Sequence, residues 1–252
     1  SLTEQNRKEQ PSLKAILYIG HGTRSKTGLQ EAKAFIQRVM ERSNVPIQEI
    51  SFLELAEPTI AEGFRRCVER GATEITVVPL FLLAAAHIKE DIPKALNEIS
   101  MLFPKVSFQI TDPFGIQDCL LDGLAELIKD TAGEVSENDS VLIVGRGSSD
   151  PAIQLAFDQI ANCLQCRLDA KRISVCFLAA CRPTLTEGLE RLTEETSERI
   201  IVVPYLLFSG LLLNEVQQKV RRLQKQGHSI ISTIPLSRHK IFEDLLIQRI
   251  SN

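Results

Sequence analysis

The sequence predicts an α/β protein with two similar doubly wound lobes, each a four-stranded parallel sheet flanked by helices, facing each other across a cleft. Three observations predict this class: a chain of 252 residues with 44% hydrophobic residues, an internal repeat, and short apolar runs that alternate with longer helical patterns. A chain of this length can bury one large core or two smaller ones. Alternating strands and helices favour parallel sheets joined by right-handed crossovers.

A fixed offset relates the two halves of the chain. Gly20 and Gly145 stand 125 residues apart, each closing an apolar run. The same offset aligns five further pairs of segments: Phe52-Leu53 with Phe177-Leu178, Pro58-Thr59 with Pro183-Thr184, Glu62-Gly63 with Glu187-Gly188, Val77-Val78-Pro79 with Val202-Val203-Pro204, and Glu90 with Glu215. We interpret the chain as two diverged copies of one unit. We expect a flexible tail over 1–13, an N-terminal lobe over 14–132 and a C-terminal lobe over 139–252.

The strands of the first half are apolar runs rich in Val and Ile, as expected of strands that are covered on both faces. We predict strands over 15–20, 47–53, 74–80 and 106–111, and helices near 28–43, 58–70, 87–102 and 115–130. The second half repeats the pattern, with strands near 140–145, 171–178, 199–205 and 229–234. Pro58 and Pro183 suit the first turn of a helix.

Composition excludes several classes of function. The formal net charge of −3, with both signs mixed along the chain, gives no bulk attraction to nucleic acid or to an anionic membrane. The first residues, SLTEQNRKEQPSL, contain no apolar stretch typical of a signal peptide. The six cysteines are scattered, which favours a reducing compartment. We therefore expect a cytoplasmic protein without nucleic-acid or membrane partners.

Three polar residues follow the first three predicted strands. His21 comes after the first strand, Glu54 ends the second, and His87 follows the third. Ligands of open α/β sheets bind beyond the carboxyl ends of the strands, so these side chains should converge. Imidazole and carboxylate groups suit divalent first-row metals, and three protein ligands leave open coordination positions. The sequence therefore predicts a metal site at this edge.

The repeat provides an internal control for this site. At the offset of 125, the three positions hold Arg146, Ala179 and Leu212. The framework around them is kept, so the fold itself does not require the histidines or the carboxylate. The Gly-X-Gly turn is therefore a scaffold feature, and residue X carries the specialisation of each lobe.

Arg146 has two interpretations. The segment Gly145–Ser149 joins a strand to a helix N-terminus, where free N–H groups and the helix dipole favour an anion. A guanidinium adds a bidentate donor for carboxylate or phosphate. The alternative is a solvated arginine on a loop.

Five segments together resemble one known family. They are GHGTRS with His21, FLELAEPT with Glu54, VVPLFLLAAAHIKEDIP with His87, and the later GRGSSDP and VVPYLLFSGLLLNEV. Over about 14–250 the chain resembles the class II chelatases, and among them the two-lobed sirohydrochlorin chelatases. The resemblance implies insertion of a divalent metal into sirohydrochlorin, a tetrapyrrole with eight carboxylates. Fe²⁺ gives sirohaem and Co²⁺ leads toward cobalamin; iron is preferred here by analogy alone.

The resemblance also implies roles for individual residues. The family's metal positions match His21, Glu54 and His87. Our hypothesis is that both histidines hold the metal and accept the pyrrole protons, while Glu54 acts as ligand or relay. Candidate groups for the substrate carboxylates are Arg146, Gly147, Ser148, Ser209, Gly210, Arg24 and Lys89, with Arg182 a further cation. Four leucines are candidates for the macrocycle: Leu82, Leu83, Leu211 and Leu212.

Cofactor and assembly follow from the same resemblance. We expect no tightly bound cofactor, with Fe²⁺ or Co²⁺ as the substrate metal. One chain supplies both lobes, so we expect a monomer. Cys163 and Cys166 form a CxxC that also occurs with iron–sulfur clusters, but its amphipathic helical context favours ordinary thiols. His228 is predicted in a loop and His239 in the last helix.

Two alternatives to a chelatase remain. The GHGTR segment also resembles the RHG motif of histidine phosphatases, but Gly20 stands where that motif has arginine. A non-catalytic metal carrier or tetrapyrrole-binding protein would use the same site. Turnover distinguishes an enzyme from such a carrier, whereas binding does not.

Overall fold

The computed structural model describes residues 11–251, which form two sheets with helices on both faces. The first half contains β1 (Lys14–Gly20), α1 (Lys26–Arg42), β2 (Ile47–Phe52), α2 (Ile60–Glu69), β3 (Glu74–Pro79), α3 (Ala86–Ser100), β4 (Ser107–Ile110) and α4 (Asp118–Ala132). The second half contains β5 (Ser140–Gly145), α5 (Pro151–Gln165), β6 (Arg172–Phe177), α6 (Leu185–Glu195), β7 (Ile200–Pro204), α7 (Leu211–Lys225), β8 (Ile230–Ser232), a 3-10 helix (Leu236–Arg238) and α8 (Lys240–Ser251).

Both sheets have the same topology. The strand orders are β2-β1-β3-β4 and β6-β5-β7-β8, and every pairing is parallel. The predicted fold class is confirmed. The order reverses beside β1 and beside β5, so the residues that follow these two central strands lie at the switch points where such sheets bind ligands.

The two prolines do not start helices as predicted. Pro58 and Pro183 precede the N-caps Thr59 and Thr184, each of which forms a capping box with the Glu three residues later. The carbonyl of Pro58 accepts a hydrogen bond from the N–H of Phe52 at 2.8 Å, and Pro183 does the same for Phe177 at 2.9 Å. Each proline therefore lies at the end of the bent segment that follows the strand, one residue before the N-cap, with its carbonyl bonded back to the last strand residue.

The two halves share one hydrophobic core. The largest buried cluster joins Tyr18 and Phe35 of the first half to Phe157 and Tyr205 of the second. Two smaller clusters fill the outer faces of the sheets, one in each half. Because the shared cluster lies between the sheets, it fixes how the two strand edges face each other.

Helix α8 belongs to the second half but packs on α4 and α1 of the first. A Cβ added at Gly123 would lie 2.4 Å from Cγ2 of Ile241, so α8 approaches α4 closely only because Gly stands there. Arg42 Nη1 lies 2.9 Å from Glu243 Oε1. His239, predicted in the last helix, lies just ahead of α8, and its Nδ1 accepts from the N–H of Ile241 at 3.3 Å.

The predicted tail falls mostly outside the described residues, since it covers 1–13 and the description begins at 11. Leu13 belongs to the folded unit, because its N–H donates to Thr73 Oγ1 at 2.7 Å and its carbonyl accepts from the N–H of Thr73 at 2.8 Å. Over 11–251, none of the helices has the length and apolar character needed to span a bilayer.

Candidate metal centre

A cavity of about 710 Å³ lies between the carboxyl edges of the two sheets. Both halves contribute to its walls, through the segments that follow β1, β2, β3, β5 and β7. The polar residues lining it include His21, Arg24, Glu54, His87, Arg146, Ser148 and Ser209. Most of the remaining lining is apolar, including Phe81 and the four leucines predicted to face a macrocycle, Leu82, Leu83, Leu211 and Leu212. This size and lining are typical of a small-molecule site.

The turn after β1 brings Glu54 beside His21. Gly22 has a φ of +96°, and a Cβ there would lie 1.6 Å from the carbonyl oxygen of Glu54, so only Gly allows this approach. The N–H of Glu54 donates to the carbonyl of His21 at 3.1 Å. As a result, His21 Nε2 and Glu54 Oε1 lie 3.7 Å apart.

The hydrogen bonds of His21 indicate its tautomer. Its Nδ1 lies 3.2 Å from the carbonyl oxygen of Gly22. A carbonyl only accepts, so this contact assigns the hydrogen to Nδ1 and leaves the lone pair on Nε2, facing Glu54. Burial lowers the pKa of His21, and the nearby Arg146 charge lowers it further. A neutral imidazole lone pair beside a carboxylate can receive a cation or a proton.

His87 lies in the same cavity but is less constrained. It occupies the first turn of α3 and is exposed. Within residues 11–251, no three His, Cys, Asp or Glu side chains are grouped closely enough to hold a metal ion. The structure therefore brings His21 and Glu54 together and leaves His87 on the cavity wall, and the three-ligand set remains a prediction.

Asp150 joins the two halves at the start of α3. Its Oδ2 accepts from the N–H of Ala86 at 3.1 Å, next to His87, while its Oδ1 accepts from the N–H of Ala152 at 3.0 Å. Helix α3 has no side-chain cap from its own N-cap residue, Ala85. Asp150 thus caps α5 and also holds the helix that carries His87.

The anion site predicted at the N-terminus of α5 is therefore partly occupied by a side chain of the protein itself. The carboxylate of Asp150 already occupies the helix N-terminus, and Pro151 offers no N–H. Among the groups predicted there, the guanidinium of Arg146 is the cationic donor facing the cavity; its Nη1 lies 3.5 Å from His21 Nε2.

Five of the other predicted substrate contacts line the cavity: Arg24, Gly147, Ser148, Ser209 and Gly210. The N–H of Ser209 donates to Glu31 Oε2 of α1 at 3.3 Å, so this wall is also held across the halves.

Two predicted cations are not brought to the cavity. Lys89 is exposed and is not among the lining residues, because two residues along a helix from His87 is more than half a turn away. Arg182 is exposed and binds Glu187 instead.

Sequence reasoning missed Asp150 and the supporting role of Glu31. Asp150 stands where the first half has Ser25, so the comparison at the offset of 125 that singled out His21 contained the signal. Cys163 lies in the last turn of α5 and Cys166 is its C-cap residue. Both are free cysteines.

Comparison with known proteins matches one family twice along this chain. The family CbiX matches residues 15–131 and 140–252. A sirohydrochlorin ferrochelatase of Priestia megaterium is 42% identical over 232 residues, covering 92% of this chain and 87% of the relative. A sirohydrochlorin cobaltochelatase of the same species is 29% identical over 222 residues, covering 86% of this chain and 72% of the relative.

A solved structure has the same fold. The structure described as SirB from Bacillus subtilis with Fe³⁺ matches with a TM-score of 0.84 and 39% identity, covering 95% of this chain and 94% of that chain. The two family matches coincide with the two halves that the repeat defines. By sequence, by internal duplication and by fold, the chain belongs to the CbiX family.

Proposed function

We propose that this protein inserts Fe²⁺ into sirohydrochlorin to give sirohaem, with release of two protons. The observation that carries the proposal is the pair formed by His21 Nε2 and Glu54 Oε1, which face each other at 3.7 Å inside the cavity between the halves. The names of the ferrochelatase relative and of the iron-bound structure agree with this chemistry.

His21 and Glu54 suit the transfer of a divalent metal. The lone pair on Nε2 can bind Fe²⁺ or accept a pyrrole proton, because the imidazole is neutral near working pH. The carboxylate of Glu54 offsets part of the metal's charge or relays a proton outward. His87 would supply the second imidazole, and its exposed place on the first turn of α3 leaves it free to approach the metal.

The opposite wall suits the carboxylates of the tetrapyrrole. Arg146 can form a charge-assisted hydrogen bond with a carboxylate, and Arg24 lines the same cavity. The leucines of both halves offer apolar surface to the flat macrocycle. In this proposal both lobes of a single chain complete one site, so the protein acts as a monomer.

Iron is preferred over cobalt as the metal. The ferrochelatase is the more similar of the two Priestia megaterium relatives. The donor types themselves accept either metal, so cobalt insertion is the second candidate.

The test is anaerobic metallation of sirohydrochlorin with Fe²⁺ and with Co²⁺, followed by visible absorption, for the parent protein, His21→Ala and the His21→Ala/His87→Ala double variant. His228→Ala, in a loop away from the cavity, is the matched control. We expect multiple turnovers for the parent and the control, loss in the other two variants, and faster reaction with iron. Stoichiometric binding without turnover would instead indicate a carrier, and full activity of the double variant would refute the metal site.

A further inference from the structure

Leu55 combines a strained backbone with an exposed apolar side chain. Its φ is +61°, in the left-handed region that leucine rarely adopts and that Gly, Asn and Asp tolerate best. The residue is also 51% exposed, so its side chain contributes little to the core. Neither the backbone conformation nor the packing of the fold favours leucine at this position, which indicates a use outside folding.

Leu55 lines the cavity next to the predicted metal site. It directly follows Glu54, whose Oε1 lies 3.7 Å from Nε2 of His21. Among the large hydrophobic side chains that are exposed within residues 11–251, two line this cavity: Leu55 from the first half and Leu211 from the second. Because half of Leu55 is exposed, a ligand bound in the cavity can reach its side chain.

The second half has the same turn with a smaller side chain. Ala180 occupies the equivalent position, has a φ of +65° and is also exposed. Within the described part of the chain, it is not one of the residues that line the cavity. The left-handed conformation therefore belongs to the turn itself, whereas the apolar side chain that reaches the cavity is specific to the first half, which carries the imidazoles.

We propose that Leu55 is a substrate-binding residue whose side chain packs on the apolar face of the tetrapyrrole beside the metal site. The proposal rests on the proposed function for the identity of the ligand. Contact between an exposed isobutyl group and a flat macrocycle removes apolar surface of both from water, which favours binding. Leu211 lies on the wall formed by the other half, so the two exposed leucines offer apolar contacts from both lobes.

The test compares Leu55→Asn with the matched control Ala180→Asn. Asparagine is close to leucine in size and tolerates the left-handed conformation, so the first variant removes apolar character without adding strain. Leu55→Met keeps an apolar side chain of similar length. For each variant we measure equilibrium binding of metal-free sirohydrochlorin, kcat and KM for metallation, titration with Co²⁺ alone, and thermal unfolding.

Leu55→Asn should raise Kd and KM for sirohydrochlorin about fivefold, with kcat and the affinity for Co²⁺ nearly unchanged, because the lost contact is made equally before and during metallation. Its Tm should be equal to or above that of the parent, because asparagine relieves the strain. Ala180→Asn should show the same effect on Tm and no effect on binding or kinetics. Leu55→Met should retain the Kd of the parent.

Four results would overturn the proposal. An unchanged Kd for sirohydrochlorin in Leu55→Asn, whatever its Tm or kcat, would show that the side chain does not contact the tetrapyrrole. An equal rise of Kd in Ala180→Asn would assign the effect to the turn backbone. Weaker binding of Co²⁺ by Leu55→Asn would mean that Leu55 acts by positioning Glu54. A parent protein that does not bind sirohydrochlorin would overturn this proposal together with the proposed function.

The binding measurement is independent of turnover. A parent protein that binds sirohydrochlorin without metallating it would therefore refute the proposed function alone, and the Kd of Leu55→Asn would still decide the role of Leu55.

Discussion

Nη1 of Arg146 lies 3.5 Å from Nε2 of His21, although the two residues occupy equivalent positions of the repeat, 125 residues apart. Equivalent residues can meet only close to the axis that relates the two halves. Within one duplicated chain the two positions are free to differ. The result is one imidazole and one guanidinium face to face, so the centre of the cavity has an imidazole side and a cationic side.

The first prediction concerns pH. Burial, then the charge of Arg146, lowers the pKa of His21 below its ordinary value of 6.5. Protonated His21 has no lone pair for metal, so activity falls as pH drops through this lowered pKa. We expect the acidic limb of kcat/KM to lie below pH 6.5, whereas Arg146→Gln should move it upward because a repelling charge is gone.

Arg146→Lys is the control for this pH profile, because it keeps a positive charge near His21. Its acidic limb should stay near that of the parent, while its KM for sirohydrochlorin rises through loss of the bidentate donor. An acidic limb that is identical in the parent and in Arg146→Gln would contradict the coupling between the two residues.

The second prediction uses the two equivalent glycines of the repeat. Gly22 and Gly147 both have a φ of +96°, and a Cβ at either would overlap a carbonyl oxygen, that of Glu54 or that of Ala179. Each Gly→Ala variant should lose at least about 1–2 kcal/mol of unfolding free energy from the left-handed backbone alone. Only Gly22→Ala should weaken metal binding, because only it displaces Glu54. The measurements are denaturant unfolding and titration with Co²⁺, and equal losses of metal affinity in both variants would argue against a role for Glu54.

The third prediction concerns Asp150. Asp150→Ala removes the cap of α5 and the bond to the N–H of Ala86, so it should cost about 1–2 kcal/mol of stability and also lower metallation through His87. Thr184→Ala, which removes the cap of α6 away from the cavity, should cost a similar free energy with unchanged kcat and KM. Activity that depends equally on both caps would show that Asp150 acts through stability alone.

The fourth prediction concerns the segment that joins the repeats. Arg199 Nη2 lies 2.7 Å from Asp139 Oδ2, and Nη1 donates to the carbonyl of Ala132 at 2.6 Å. Arg199→Ala should cost roughly 2–3 kcal/mol, because it leaves the buried carboxylate without its charged partner. Chemical unfolding at neutral pH measures this loss, with the exposed Arg191→Ala as control.

The same pair sets a dependence on acid. Burial pushes the pKa of Asp139 upward, but hydrogen bonds from Arg199 and from the N–H of Ser136 outweigh it, so the pKa lies below its ordinary value of 3.8. The stabilisation is present above that value and is lost as pH falls through the lowered pKa. In Arg199→Ala the pKa of Asp139 should return toward its ordinary value, so this acid-dependent loss should shrink and the difference in unfolding free energy between parent and variant should narrow as pH falls below 3.8. A difference that stays constant below pH 3.8 would contradict this assignment.

The order of strands and helices could be predicted from the sequence because apolar runs and helical periodicity are local properties. The same holds for the placement of His21, Glu54 and His87 after three parallel strands. Local patterns misplaced Pro58 and Pro183, because a bent segment follows each strand and a hydrogen bond from the last strand residue to the proline carbonyl holds the proline just outside the helix.

The sequence by itself determined that the chain contains two copies of one α/β unit. It also determined that the first copy carries the two imidazoles, His21 and His87. The tertiary structure alone decided that Arg146 touches His21, that Asp150 holds the helix of His87, and that Lys89 points away from the cavity. It also decided that the hydroxyl of Tyr205 is buried without a hydrogen-bond partner among residues 11–251. These relations depend on how the two halves pack against each other through their shared core. Such packing is set by many contacts between residues distant in the sequence, not by neighbours in the chain.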